Sequence, residues 1–371
     1  MAEANKSEAR PAEETVKAEE TKSAAEAEKE KAAAEEKKDL HRMADEMRFM
    51  QSGMNIPGSI WHELTENEFK DRRPGRVHQM HIYFKKLMRL FIYQKDWRLL
   101  IFAAIIAVLV AKVVGSTMFV TMEGTLIGSL AVTCICLWNG VFNSVQVVCR
   151  ERAVIKREHR TGMHIVSYLM AHILVQAIIC ALQVVLTMAV FDIFGIKSEM
   201  PGLLFGSFRL DFFVTMFLIT FASDMMGIMV SCIVRNTTAA MTVMPLLLIV
   251  QLVFAGVAFP LHGIMAKVSD FTLSKWGVCA ICTEANYNAL PSSALWTAMQ
   301  KISGQQEGVA KFLAGADKSR IMEITGRYVQ DASYTYSVSN VLQHWGILIA
   351  FAVGFAVLGL IFLEFIDHDK R

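Results

Sequence analysis

Few residues in this chain have the types and spacing needed for chemistry, and the clearest are Cys279 and Cys282, a Cys-x-x-Cys pair. One such pair supplies only half of the ligands of a structural zinc site, and the context of a thioredoxin-like redox protein is lacking. Two interpretations stay open: a disulfide, within or between copies, in an oxidising compartment, and two free thiols. His159, His164 and His172 lack the spacing of metal ligands, so we predict no metal site.

Two ionisable residues, Lys112 and Asp224, lie inside long apolar stretches. A charge at membrane depth is costly and often functional. Lys112 could instead extend its ammonium to the membrane boundary, and Asp224 could pair with a basic or hydroxyl side chain on another helix. Both a structural role and a role in ion-coupled transport therefore stay open for each residue.

The composition is that of a membrane protein with several spans. Apolar residues make up 54% of the 371 residues, and the mean hydropathy is +0.38. Since the first hundred residues are mostly polar, the apolar residues are concentrated in the remainder. The net charge of +2 comes with basic residues near span ends and with no nucleic-acid motif, so we predict no nucleic-acid partner.

The apolar runs predict an all-α polytopic membrane protein with six transmembrane helices, because each run is near or above the roughly 20 residues that cross a bilayer. The spans are 99–121, 124–148, 165–196, 208–234, 238–259 and 342–365. An even number places both termini on one side. The basic residues between spans two and three, and Arg235 between spans four and five, indicate the cytoplasmic side of the plasma (inner) membrane. The N-terminus lacks the apolar core of a cleavable signal.

The rest of the chain divides by composition. Residues 1–48 are highly charged, and their composition predicts a disordered tail or a solvated helix. Residues 49–80 are expected to form a cytoplasmic linker. Residues 81–98 alternate apolar and basic positions as an amphipathic helix at the cytoplasmic interface does. Residues 99–371 form the membrane domain, with a large external loop at 260–341.

The connection between spans two and three, CRERAVIKREHRTGMH at 149–164, has a strong basic excess. Its E-R-x-x-x-x-R-E-x-x-x-G pattern resembles the segment that joins these spans in the G subfamily of ATP-binding cassette (ABC) exporters. That resemblance implies a coupling helix that contacts an ATPase, with Glu151, Arg152, Arg157, Glu158 and Gly162 at the matching positions. The alternative is a solvated basic loop that only sets orientation.

Other stretches extend the resemblance from Ile82 to the C-terminus. They are NGVFNSV (139–145), VFAGVAFP (253–260) and SKWGVCAICTEANYNAL (274–290). The resemblance implies an apolar substrate pocket on the two-fold axis of two permease copies, lined by Trp138, Asn139, Phe142, Ile249, Leu252 and Phe254. It also implies an exit plug at Val257 and Ala258, although these side chains are small. Ordinary helix packing is the alternative for each.

The sequence contains no G-x-x-x-x-G-K-[ST] phosphate loop. The resemblance therefore implies a transport subunit without enzymatic activity, whose ATP and Mg are bound by a separate ATPase subunit or by a domain of a longer chain. We expect a permease that exports lipophilic or amphipathic substrates by alternating access, as a homo- or heterodimer in contact with membrane lipid. The alternative is an ion-coupled secondary transporter that uses Asp224 or Lys112.

Overall fold

The structure is a computed structural model that describes residues 75–115, 117–160, 162–198, 200–259, 261–303 and 307–364. The predicted tail at 1–48, most of the predicted linker at 49–80 and the residues after 364 lie outside the described residues. In the ranges described, the chain forms thirteen α-helices, two 3-10 helices and no β-strand, which confirms the all-α class. The α-helices are α1 Arg76–Tyr93, α2 Arg98–Val114, α3 Met122–Ser144, α4 Val147–Arg160, α5 Ile165–Ile193, α6 Phe208–Ile233, α7 Thr237–Val253, α8 Ile264–Ser269, α9 Leu273–Glu284, α10 Ala294–Ser303, α11 Glu307–Gly315, α12 Lys318–Tyr328 and α13 Val338–Glu364.

Four helical stretches among the described residues are long and apolar enough to cross a membrane. The first is α3 together with the adjoining α4, and the other three are α5, α6 and α13. A fifth is reached if α1 and α2, which are bent by 66° at their junction, count as one broken span. Helix α7 is apolar but has only 17 residues, about 25 Å at 1.5 Å per residue. A helical protein with several spans is thus confirmed, whereas the count of six stays a prediction.

The bend between α1 and α2 arises at Lys95, which has a left-handed backbone conformation (φ 60°). Around it the Asp96 amide donates to the Phe91 carbonyl at 3.1 Å, and the Lys95 amide donates to the Ile92 carbonyl at 3.3 Å. This pair of bonds closes a helix end. The amphipathic helix predicted at 81–98 therefore begins earlier, at Arg76, and ends at Tyr93, before a short turn into α2.

Helices α3 and α6 pack closely against each other in the core. A Cβ atom added to Gly140 would lie 2.3 Å from the Thr220 carbonyl oxygen, and one added to Gly227 would lie 2.2 Å from Ser144 Oγ. Ser223 Oγ adds a hydrogen bond of 2.7 Å to a carbonyl of α3. Small residues let two helix backbones approach in this way, which suits association in a bilayer.

The stretch 260–341, predicted as the large external loop, contains five helices, α8 to α12, and its position outside the membrane stays a prediction. The 12 residues of α9 are almost all buried. Leu273 and Ile281 belong to the same core as α3, α6 and α13, and Val278 and Cys282 belong to a second cluster with Met122. Gln251 of α7 holds the start of α9, because its side-chain oxygen accepts a hydrogen bond of 3.2 Å from the Ser274 amide. A stretch of moderate hydropathy can be buried in this way because α9 packs against protein on several sides.

Candidate substrate cavity and coupling helix

A cavity with a volume of about 340 Å³ lies between α2, α3 and α5. Its walls are mostly apolar, with three amide side chains. The lining residues are Leu99, Phe102, Ala103, Ile106, Trp138, Asn139, Phe142, Asn143 and Gln183. Apolar cavities with a few fixed polar groups are typical of small-molecule sites.

Three residues predicted from the sequence, Trp138, Asn139 and Phe142, line this cavity together on α3. The rings of Trp138 and Phe142 lie 5.1 Å apart between centroids and are tilted by 30°. The Asn139 side chain is only 6% exposed, and no hydrogen bond to its amide is found in the part of the chain that the structure describes. Because Asn139 lines the cavity, its amide offers a ligand both a donor and an acceptor.

The remaining amides, Asn143 and Gln183, bind each other. Asn143 Nδ2 donates to Gln183 Oε1 at 2.7 Å, and Gln183 Nε2 donates to Asn143 Oδ1 at 3.0 Å. Gln176, two turns earlier on α5, donates to the Asn143 carbonyl at 3.1 Å. The sequence analysis missed these residues, although glutamines spaced by seven residues in an apolar run do indicate a polar seam on one helix face.

The other predicted pocket residues lie elsewhere in the protomer. Ile249 and Leu252 are exposed on α7, by 57% and 41%, and the Phe254 carbonyl accepts a hydrogen bond of 2.7 Å from Ser269. Of the predicted exit plug, Val257 packs against a cluster that contains Met122, and Ala258 is exposed. The described protomer thus brings only the α3 half of the predicted set together.

The two predicted intramembrane charges differ in surroundings. Lys112 is exposed and lies in the last turn of α2, because this helix ends at Val114, earlier than predicted. Asp224 is completely buried near the middle of α6, and neither carboxylate oxygen has a hydrogen-bond partner among the described residues. Its backbone carbonyl accepts a hydrogen bond of 2.7 Å from Ser144.

The predicted coupling segment forms α4, and its two acidic residues bind tyrosines of neighbouring helices. Tyr83 of α1 donates a hydrogen bond of 2.9 Å to Glu158 Oε2, and Lys86 Nζ lies 3.6 Å from Glu158 Oε1. Tyr168 of α5 donates at 3.2 Å to Glu151 Oε2. After α4, Gly162 takes a φ of 104°, which a residue with a Cβ rarely adopts. Helix α4 is therefore held between α1 and α5.

Helices α4 and α6 cap each other's ends. Ser231 Oγ of α6 accepts hydrogen bonds from two backbone amides in the first turn of α4, at 3.0 and 3.1 Å. Arg152 Nη1 of α4 donates at 3.1 Å to each of two carbonyls at the end of α6, those of Cys232 and Val234. These bonds satisfy groups that every helix end leaves free, and a cation is favourable at a helix C-terminus. Arg157 is exposed on α4.

Cys279 and Cys282 are free, buried thiols on α9. Burial raises the pKa of each thiol to about 12. Cys282 Sγ lies 3.4 Å from Ser129 Oγ. Within the described ranges, no three His, Cys, Asp or Glu side chains lie close enough together to hold a metal ion.

Comparison with known proteins agrees with this arrangement. The family model "ABC-2 type transporter" matches residues 79–278, and the model "CDR ABC transporter" matches residues 299–371. The chain is also similar to the ABC transporter ATP-binding/permease protein Rv1747 of Mycobacterium tuberculosis, with 24% identity over 143 residues. That match covers 38% of this chain and 16% of the relative, so the chain corresponds to a small part of that protein. Because the first family model spans more than half of the chain and the described helices fit a permease, this chain belongs to the ABC-2 type transporter family.

Proposed function

We propose that this ABC transporter permease exports lipophilic or amphipathic molecules from the plasma membrane, with both termini in the cytoplasm. The cavity between α2, α3 and α5 carries the proposal. Its aromatic wall suits an apolar cargo, and the amide of Asn139 suits a cargo with one or a few polar groups.

The working unit in this proposal is a dimer of permeases, with either an identical or a related second copy. Helix α7 supports it, because its apolar side chains Val243, Leu246, Ile249 and Leu252 are exposed in the protomer. A second copy packed along α7 would bring Ile249 and Leu252 to the two-fold axis. They could then complete a pocket shared with Phe142.

Alternating access in this dimer would be driven by an ATPase partner that binds ATP and Mg. Helix α4 supports this role because it is basic and is bonded to α1, α5 and α6. Movement of α4 would then reach three other helices at once. Since the sequence has no phosphate loop, we expect the purified chain alone neither to bind nor to hydrolyse ATP, and turnover by a pure preparation would contradict the separate-ATPase proposal.

The cavity is tested with Phe142→Ala in the assembled transporter. Loss of the ring should change cargo-stimulated ATPase activity several-fold and leave expression and basal activity nearly intact. Phe362→Ala is the matched control, because Phe362 is an exposed phenylalanine of α13 that does not line the cavity. If Phe142→Ala abolishes assembly while cargo response per assembled complex is unchanged, Phe142 is a packing residue and the pocket proposal fails.

Ion-coupled secondary transport is the second candidate. The buried carboxylate of Asp224, which has no hydrogen-bond partner among the described residues, favours it. Asp224→Asn keeps the shape and removes the titratable proton. An ion-coupled transporter would lose its dependence on a proton gradient in this variant. An ATP-driven exporter would keep its ATP dependence in proteoliposomes without any gradient, which distinguishes the two functions.

A further inference from the structure

A second, smaller pocket lies at the bend between α1 and α2, where these helices meet α5 and the start of α4. Its volume is about 70 Å³. Because a water needs roughly 10–15 Å³ by this measure, the pocket accepts a group of about five heavy atoms. The pocket shares Leu99 and Asn143 with the larger cavity, and its other lining residues are different.

Two polar side chains in the wall of this pocket are buried and incompletely satisfied. His172 and Gln176 are each 4% exposed. Among the described residues, neither His172 Nε2 nor Gln176 Oε1 has a hydrogen-bond partner. Unsatisfied buried polar atoms are rare in native structures, so these two point to a ligand or ordered water in the pocket.

Charged side chains of both signs, Arg150, Asp96 and Glu151, line the same pocket. Arg150 is exposed at its edge and has no ion pair in the described ranges, and Asp96 is half-buried and also unpaired. Glu151 contributes a second carboxylate, and one of its oxygens accepts a hydrogen bond from the Tyr168 hydroxyl. Apolar side chains of α1 and α2, Leu87, Phe91 and Leu99, complete the wall. This arrangement complements a zwitterion attached to an apolar chain.

We propose that this pocket binds the headgroup of a phospholipid that carries a primary ammonium, the phosphoethanolamine class. The ethylammonium part of the headgroup, with three heavy atoms, fits inside the pocket by Asp96 and Glu151, and the phosphate lies outside it at the exposed edge by Arg150. The acyl chains follow the apolar surface of α2. An amphipathic helix such as α1, next to a long apolar helix, lies at the level where headgroups are found. This proposal does not rest on the transport function proposed above.

The test uses the full chain, purified in detergent and freed of lipid, with lipids of identical chains added and bound lipid measured by native mass spectrometry. We expect phosphatidylethanolamine to bind about tenfold more tightly than phosphatidylcholine or phosphatidylglycerol, since only its headgroup carries a cation that can donate charge-assisted hydrogen bonds to the carboxylates. Asp96→Asn should remove this preference. Arg150→Gln should weaken binding of all three lipids about tenfold.

Arg157→Gln is the matched control, because it removes the same charge from an exposed position of the same helix outside the pocket. Equal binding of the three lipids, or equal weakening by Arg157→Gln and Arg150→Gln, overturns the proposal. Free phosphoethanolamine that competes at the same concentration as the lipid overturns the assignment to a lipid. If Arg150→Gln lowers the melting temperature of the lipid-free protein, the test rests on the isosteric Asp96→Asn variant instead. An Asp96→Asn variant that keeps the preference for phosphatidylethanolamine then overturns the proposal.

Discussion

The hydroxyl of Tyr83 donates a hydrogen bond of 2.9 Å to Glu158 and thereby joins α1 to α4. The ring of Tyr83 also packs edge-on against Tyr168, with centroids 5.6 Å apart. Tyr168 in turn binds Glu151. Two tyrosines and two glutamates therefore form one alternating polar cluster among α1, α4 and α5.

Charge reversal at Glu158 tests the mechanical role of this cluster. Glu158→Lys removes the acceptor of Tyr83 and places a second cation near Lys86. We expect transport in cells to fall at least tenfold, since like charges at a close contact are unfavourable. Surface expression should persist because insertion depends on the apolar spans. Tyr83→Phe, which loses only the hydrogen bond and about 1 kcal/mol, should have a smaller effect, and full transport by Glu158→Lys would refute the role.

Gly140→Ala should strongly destabilise the protein, because the new methyl group would lie 2.3 Å from the Thr220 carbonyl oxygen. Overpacking of this kind costs about 1–3 kcal/mol. Gly354→Ala is the control: it lies within α13 and has nothing within 4 Å of an added Cβ. Thermal unfolding in detergent should show a lower midpoint for Gly140→Ala alone. Equal midpoints would mean that α3 and α6 are less closely packed than described.

The buried carboxyl of Glu284 should make the stability of the fold depend on pH. This residue of α9 is 2% exposed, and burial raises the pKa of its carboxyl from 4.5 to about 8, although a hydrogen bond from Thr215 lowers it. Between these values the folded protein holds a proton that the unfolded chain releases, so stability should fall as pH rises from 5 to 8.

Melting temperatures across this pH range should therefore decrease by a few degrees, and Glu284→Gln should reduce that decrease. Glu323→Gln is the control, since Glu323 is exposed and paired with Arg327. An unchanged slope in Glu284→Gln would show that other groups cause the pH dependence.

The thiols of Cys279 and Cys282 should be unreactive in the folded protein. Both are buried, and burial raises the pKa of each to about 12, so little thiolate exists at neutral pH. A maleimide should label them only after denaturation in detergent, as peptide mass spectrometry can show. Their failure to react after denaturation without reductant would instead indicate a disulfide.

Long apolar runs were the most predictable part of the fold. The spans predicted at 165–196 and 208–234 correspond within a few residues to α5 and α6. A run of roughly thirty mostly apolar residues is best explained by a helix, so its type and position are easy to predict. The end of α1 was not predictable, because the left-handed residue there is Lys95, where Gly is the usual signal. Helix α9 was missed as a helix because 12 residues of moderate hydropathy do not indicate a span.

The candidate site was predicted only in part for a similar reason. Trp138, Asn139 and Phe142 lie close together in the chain and on one helix, so a local pattern could indicate them. The Asn143–Gln183 pair joins residues that are 40 positions apart, and pairing between helices depends on how they pack. The same holds for Arg152, whose carbonyl partners lie about 80 residues later in the chain.

The buried position of α9 means that this helix can reach its final packing only after later parts of the chain have been synthesised. Its 12 residues span about 18 Å, too short to be retained by the insertion machinery as a span. Its contacts include Trp345 of α13, through the hydroxyl of Thr215 that binds Glu284. Since α13 is translated after α9, the surface of α9 that packs towards α13 stays exposed until the ribosome has synthesised this last helix. A nascent chain arrested before α13 should therefore be recognised by quality-control proteases at α9, even though most of its membrane helices are already in place.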